Sequence, residues 1–191
     1  MATADLTKYL LANGIKELMQ TTPLAKISIK DISDFCNISR NTFYYHFKDK
    51  FDLVNWIFYT EITPKISEIS DLENWHHGLI SLCLYMKENK KFYINALNTE
   101  GQNSFSDCLM DFYQTLITNI LTTYSEDINL SDMDIHIISR FYSHSLIGII
   151  LDWAKDGMNT DPTYAIDIIN NLINGNIFKK ALALDNFNKK N

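Results

Sequence analysis

The chain has 191 residues, which is enough for one compact domain or for two small domains that share a helix. Its composition, 46% hydrophobic and 21% charged, excludes collagen-like and disordered chains. No stretch approaches the roughly 18 consecutive apolar residues that a membrane span needs. The first residues, MATADLTKYLL, lack the basic segment and the cleavage site of a secretory signal. We therefore expect a cytoplasmic protein with no membrane partner.

The net charge of −6 is unevenly distributed along the chain. Residues 1–60 carry seven Lys or Arg against six Asp or Glu, whereas residues 61–191 carry ten against seventeen. The first third is therefore close to neutral, so a cluster of its cations could approach the phosphates of a nucleic acid.

The sequence contains no catalytic signature. A Gly-rich phosphate loop, a nucleophile elbow, an HExxH motif and paired carboxylates in an apolar setting are all missing. Cys36, Cys83 and Cys108 form no CxxC pair, which predicts reduced thiols rather than a disulfide framework or a zinc site. We expect no enzyme, no catalytic residues, no cofactor and no metal.

The scarcity of Gly and Pro and the helical spacing of apolar residues predict an all-α protein. A first helix is expected at about 4–21, before the Thr-Thr-Pro run. Its apolar stripe comprises Leu6, Leu10, Ile15, Leu18 and Met19.

Two short helices follow, and both have a serine N-cap. Ser28 precedes Asp31 at capping-box spacing, and Ser39 caps the second helix. Asn37, in the link between them, is suited to a left-handed backbone. Such a short link forces the helices to cross steeply, which predicts a helix-turn-helix.

The rest of the chain is predicted to be helical. A long helix at about 50–67 has a possible bend at Pro64. Five further helices are expected at about 73–88, 90–97, 104–124, 132–156 and 162–173. The polar tail, 186–191, is expected to fray.

Residues 40–47 are the predicted recognition helix. On a helical wheel Phe43 and Phe47 face the core, whereas Asn41 and Tyr45 point outward. Arg40 and Asn41 lie at the helix N-terminus, where Arg can pair with guanine and Asn with adenine in the major groove.

Other polar groups of this region are suited to the DNA backbone. Thr42, Tyr44 and Tyr45 could donate their hydroxyls to phosphates or contact thymine methyls. Lys30 and Lys50 lie near helix starts, where free N–H groups also favour anions. The alternative from periodicity alone is a solvated three-helix bundle without a DNA partner.

Residues 27–54, ISIKDISDFCNISRNTFYYHFKDKFDLV, resemble the DNA-binding signature of the TetR family of bacterial transcription regulators. The strongest matches are Ile38-Ser39, Thr42-Phe43-Tyr44, His46-Phe47 and Lys50. The resemblance implies a helix-turn-helix DNA-binding domain at 1–50 and a larger all-α dimerisation and regulatory domain at 51–191.

The resemblance also implies which residues touch DNA. By position they are Lys30, Arg40, Asn41, Thr42, Tyr44, His46 and Lys50. We add Tyr45 because the helical wheel places it on the outward face. Tyr44 and Lys50 would bind phosphates, while Arg40, Asn41 and Thr42 would approach bases. The family often has Ala-Gly where this chain has Cys36-Asn37, and a small residue where it has Asn41. For His46 two roles stay open, a phosphate contact or a structural hydrogen bond.

Residues 141–162, FYSHSLIGIILDWAKDGMNTDP, resemble the TetR branch whose best-known type activates dihydroxyacetone kinase genes. Trp153, Gly157, Met158 and Pro162 carry this likeness.

The predicted function is a sequence-specific DNA-binding transcriptional regulator that binds a palindromic operator as a homodimer. The alternative is a co-regulator or activator signalled by a partner protein rather than by a small-molecule inducer. These residues encode neither the sign of regulation nor the operator sequence.

The family architecture places the dimer contact on the last two long helices, 132–156 and 162–173. The first of them is apolar over too wide an arc for a single core, through Leu146, Ile147, Ile149, Ile150 and Trp153. Gly148 would allow a close backbone approach.

Two other features of this region leave alternatives open. His136, Arg140 and His144 recur every four residues and form either a polar stripe at the interface or a metal or anion site. An aromatic set could line an inducer pocket or simply form core. It comprises Trp75, Tyr85, Phe92, Tyr93, Phe105, Phe112 and Tyr113.

Overall fold

The computed structural model describes residues 3–66, 75–127, 129–175 and 179. In these ranges the chain is all-helical. The helices are α1 Thr3–Leu18, α2 Ile29–Phe35, α3 Arg40–His46, α4 Lys50–Ile66, α5 Trp75–Glu88, α6 Lys90–Leu97, α7 Phe105–Thr123, α8 Asp132–Lys155 and α9 Pro162–Ile173, with a 3₁₀ turn at Leu24–Lys26. The predicted helices are confirmed, and most boundaries shift by one or two residues. The tail 186–191 and the predicted start of the fifth helix at 73 lie outside the described residues.

The two short helices begin as their capping residues predict. The Ser28 side chain accepts from the backbone N–H of Asp31, and the Asp31 carboxylate accepts from the Ser28 N–H. Ser39 accepts from the N–H of Thr42. Asn37 has a φ of +53°, the left-handed conformation that turns the chain between α2 and α3. The predicted helix-turn-helix is present.

The apolar stripe predicted on the first helix is only partly correct. Ile15 and Met19 are buried, but Leu6 is 64% exposed and Leu10 is also exposed. The buried face instead runs through Leu11, one residue further along the helix, because this face packs against α2 and α4. The periodicity predicted an apolar stripe on this helix, but only the packing shows that Leu11 rather than Leu10 is buried.

The contact between α1 and α2 is unusually close at Gly14. A Cβ atom at Gly14 would overlap the sulfur of Cys36. The Cys36 thiol also lies 3.5 Å from the carbonyl oxygen of Leu10. Gly14 therefore lets the helix-turn-helix pack directly on α1.

Helix α4 belongs to the packing on both sides of the predicted domain boundary. It contacts α1 as well as α5 and α7. Phe58 of α4 packs edge-on against Phe105 and Phe112, with ring centroids 5.4 and 5.3 Å apart. One hydrophobic cluster runs through both parts of the chain. The division at residue 50 stays a prediction.

No helix among the described residues is long and apolar enough to cross a membrane. The same residues contain no group of three or more His, Cys, Asp or Glu side chains that could hold a metal ion. His136, Arg140 and His144 are exposed on α8, and the His144 ring Nδ1 lies 2.8 Å from the Arg140 carbonyl oxygen.

Candidate DNA-binding surface

Helix α3 presents one buried face and one exposed face. Phe43 is 0% exposed and Phe47, just after the helix, is also buried, with the two rings 6.0 Å apart. Tyr45, on the opposite face, is 82% exposed. The helix is therefore held by two core phenylalanines while its other face is free to contact another molecule.

The first turn of α3 carries three of the predicted base-contacting residues. Arg40 and Asn41 are exposed, and Thr42 is half-buried. The Thr42 hydroxyl lies 2.8 Å from the Ser39 hydroxyl, so the capping interaction partly fixes its position. Arg40 and Asn41 point from the N-terminal end of the helix, the end that approaches base edges in helix-turn-helix proteins.

The aromatic residues of α3 differ in their exposure. Half of the Tyr44 surface is exposed, and its ring packs edge-on against Phe43 at 5.7 Å. His46 is half-buried, with its ring 4.9 Å from Tyr45 and 6.4 Å from Phe47. His46 thus lies between the exposed tyrosine and the core.

Lys30 supplies a cation beside this surface. Its ammonium lies 2.7 Å from the Asp34 carboxylate one turn along α2, and both side chains are exposed. This hydrogen bond and the charge of Asp34 raise the pKa of Lys30, whereas the charge of Arg40 lowers it. A surface pair such as Lys30 with Asp34 is weak enough for a phosphate to replace the carboxylate.

The Lys50 side chain makes a contact within the protein that differs from its predicted phosphate contact. Its ammonium donates to the carbonyl oxygens of Leu24, Ala25 and Ile27 at 2.6, 3.2 and 2.8 Å. An ammonium has three N–H donors, so these bonds use all of them. Burial lowers the pKa of Lys50. To bind this ammonium, a phosphate would have to replace one of these hydrogen bonds. The phosphate contact therefore stays a prediction, whereas the structure shows Lys50 bound to the backbone of residues 24–27.

The helices predicted to form the dimer expose apolar side chains, and one of them belongs to the set named from the sequence. Leu146, Ile147 and Ile150 are buried in the chain's own core, and Trp153 is half-buried with its indole N–H 3.2 Å from the Thr160 carbonyl oxygen. Only Ile149 of that set is exposed. Most of this set therefore packs within the chain's own core, where α6 and α7 contact α8, and the dimer contact on these helices stays a prediction.

A different apolar stripe is exposed on these two helices. It comprises Met133, Ile137 and Phe141 of α8 and Tyr164, Ile168 and Leu172 of α9, here called the α8/α9 stripe. The members recur every four residues on each helix, which is the signal that could have identified them in the sequence. Open space surrounds Gly148, which lies on the same face of α8 as Phe141.

A cavity of about 330 Å³ lies between α5, α7, α8 and α9. Its lining is apolar and contains no charged residue; examples are Trp75, Leu82, Phe112, Leu116, Tyr142 and Leu146. Tyr113 also lines it, and the Tyr113 hydroxyl is buried without a hydrogen-bond partner among the described residues. Burial raises the pKa of Tyr113 well above its ordinary value. Of the other aromatic residues predicted for a pocket, Phe92, Tyr93 and Phe105 are buried core.

Two family models match this chain. Residues 12–57 match the model of bacterial regulatory proteins of the tetR family. Residues 73–175, more than half of the chain, match a model of the transcriptional regulator C-terminal region of TetR proteins. The chain belongs to the TetR family. It is a transcriptional regulator, and regulators of this family bind DNA and act as dimers.

Known TetR proteins resemble the chain over nearly its whole length. A relative from Lactococcus lactis subsp. lactis, the HTH-type dhaKLM operon transcriptional activator DhaS, is 26% identical over 175 residues, which cover 91% of this chain and 92% of the relative. A solved structure of the dihydroxyacetone kinase operon activator DhaS is 25% identical, has a TM-score of 0.59, and covers 90% of this chain and 96% of its own.

A more distant structure shares the fold. FadR from Bacillus halodurans, a fatty acid degradation regulator, has a TM-score of 0.60 at 13% identity, covering 86% of this chain and 93% of its own. The predicted all-α fold and the predicted TetR membership are thereby confirmed.

Proposed function

We propose that this TetR regulator binds a palindromic operator as a homodimer and that α3 is its recognition helix. The observation that carries this proposal is the two-sided character of α3: Phe43 and Phe47 are buried, while Arg40, Asn41 and Tyr45 are exposed. A helix fixed on one side and polar on the other is suited to the major groove.

The exposure of each side chain suggests its contact. Arg40 and Asn41 contact base edges, because both are exposed at the N-terminal end of α3. Thr42, Tyr44, Tyr45 and Lys30 contact the sugar-phosphate backbone and fix the register. His46 supports Tyr45 through their ring contact.

The α8/α9 stripe is the proposed dimer contact. Phe141 is 65% and Tyr164 is 74% exposed, and large apolar residues spaced one turn apart are costly to leave in water. A second copy of the chain would cover them in a two-fold contact, and Gly148 would allow the backbones to approach. The two α3 helices would then meet half-sites about 34 Å apart, one turn of DNA.

Selection from a random DNA library tests this proposal. The full chain should enrich a palindrome, and fluorescence anisotropy on that duplex should show two chains per site and affinity that falls with salt. A scrambled duplex of equal length is the control. Enrichment of no sequence, or of one half-site bound by one chain, would contradict the proposal.

The apolar cavity favours a small-molecule signal over a partner protein. Because its lining contains no charged residue, we propose a neutral, mostly apolar ligand with one hydrogen-bonding group for Tyr113. Decanol should raise the melting temperature and change operator affinity, whereas decanoate and dihydroxyacetone should do neither. If none of the three binds and the operator is bound only with a second protein present, the partner-dependent alternative is supported instead.

A further inference from the structure

Asn95 joins the regulatory domain to the DNA-binding domain through three hydrogen bonds. Its Oδ1 accepts from the Leu24 backbone N–H at 2.7 Å. Its Nδ2 donates to the carbonyl oxygens of Met19 and Thr22 at 3.2 and 2.8 Å. All three partners lie between α1 and α2, in a segment here called the α1–α2 connection, residues 19–27.

The same segment is held from its other side by α4. The Leu24 carbonyl accepts from the Lys50 ammonium, and Lys50 also contacts the carbonyls of Ala25 and Ile27. Leu24 itself is fully buried. The N–H of Leu24 is thus bound by α6 and its C=O by α4, so the segment cannot move relative to either helix without breaking hydrogen bonds.

The α1–α2 connection leads directly into the DNA-binding helices. Ile27 is buried and immediately precedes Ser28, the N-cap of α2. Helix α2 then packs on α3 across the turn at Asn37. Helix α6, at the other end, packs on α5, α7 and α8. Asn95 therefore links α6, which packs on helices that carry the cavity and the dimer stripe, to the segment that leads into α2 and α3.

We infer that Asn95 is a positioning residue for operator binding, which sets the orientation of the helix-turn-helix relative to the regulatory domain. In the dimer this orientation fixes the distance between the two recognition helices. Asn95 thereby determines which half-site spacing the protein prefers, while the bases within each half-site are chosen by α3. The inference rests on the proposed dimeric, palindrome-binding function.

The chemistry of the side chain explains why asparagine is needed there. A carboxamide supplies two N–H donors and an acceptor, and the segment presents two carbonyls and one N–H. Aspartate keeps the acceptor for Leu24 but would place a negative oxygen against the Met19 and Thr22 carbonyls. Alanine leaves all three backbone groups without their partner.

The experiment compares Asn95→Ala with Asn89→Ala. Asn89 precedes the same helix, but its Nδ2 donates only to the Tyr85 carbonyl, inside the regulatory domain. Operators selected by the wild-type chain are remade with the half-site spacer changed by one base pair in each direction. Anisotropy titrations then give the affinity for each spacer, well below the melting temperature of every variant.

Asn95→Ala is expected to bind the preferred spacer about tenfold more weakly and the altered spacers nearly as well as wild type. The difference in affinity between the preferred and the altered spacers should therefore become smaller. Base preference within the half-site should not change. Asn89→Ala should keep the wild-type profile. An equal loss at every spacer, as partial unfolding would give, or an unchanged profile would overturn the inference.

A second readout keeps the test decisive if Asn95→Ala folds poorly. In the Asn95→Asp variant, which keeps the acceptor for the Leu24 N–H, hydrogen exchange of the peptide covering residues 19–27 should be faster than in wild type or in Asn89→Ala. Unchanged exchange would contradict the link between α6 and this segment. If the wild-type chain selects no palindrome, the proposed function fails and the inference falls with it; if it does and spacing is unaffected, only the inference fails.

Discussion

The DNA-binding and regulatory parts of the molecule expose opposite kinds of surface. The exposed side of α3 carries polar groups and tyrosines, whereas the exposed side of α8 and α9 carries Met133, Phe141 and other large apolar side chains. Phosphates and base edges require hydrogen-bond donors that stay hydrated until DNA arrives. A second copy of the chain requires apolar area that it can bury. The contrast suggests one surface for a nucleic acid and one for a protein.

The largest expected effect comes from removing the anchor of the recognition helix. Phe43→Ala should destabilise the DNA-binding domain by about 3–5 kcal/mol and abolish operator binding, because the buried ring holds α3. Tyr45→Ala, two positions away and exposed, should change stability by less than about 0.5 kcal/mol yet weaken DNA binding. Calorimetry and anisotropy on both variants test the contrast. Equal stabilities would show that Phe43 does not anchor α3.

The next effect should fall on the apolar surface. Phe141→Arg would bury like charges at the two-fold contact, and we expect the dimer to weaken by at least about 100-fold. Light scattering across a range of concentrations measures this change. Leu84→Arg, at an exposed apolar position on α5, is the matched control and should remain dimeric. A Phe141→Arg chain that stays dimeric would place the interface elsewhere.

A smaller effect is expected at the N-terminal end of α3. Asn41→Ala should cost about 1–3 kcal/mol at a single base pair and relax the preference there, with little change at other positions. Repeating the library selection with the variant shows which base pair is affected. A uniform loss over all positions would instead indicate that Asn41 contacts the DNA backbone.

The smallest effect is expected from replacing Lys30 or Lys50. The two substitutions also distinguish a phosphate contact from a structural role. Lys30→Ala should lower the slope of log affinity against log salt by about 0.9 without altering base preference. Lys50→Ala should leave that slope unchanged and lower the melting temperature, because its ammonium binds three carbonyls of the fold. A reduced slope for Lys50→Ala would restore its predicted phosphate contact.

Local features of the fold could be predicted from the sequence. Serine caps, the left-handed Asn37 and the boundaries of α8 and α9 depend on residues within one or two turns, so short patterns identify them. The TetR motif added the family, while the recognition role of α3 stays a proposal.

Features that depend on distant partners could not be predicted. Leu146 and Ile150 form a periodic apolar face, but periodicity does not say whether the chain's own helices or a partner will cover it. Lys50 at a helix start suggested an anion, yet its acceptors lie 23 to 26 residues earlier. Asn95 gave no signal, because its partners lie 71 to 76 residues away.

The long separation between Asn95 and its partners has a consequence for biosynthesis. The first sixty residues leave the ribosome well before residue 95 does, and chains fold from the N-terminus as they emerge. During that interval the α1–α2 connection lacks the three hydrogen bonds from α6. We therefore expect the α1–α2 connection of the nascent chain to be held by α4 alone until α6 has emerged.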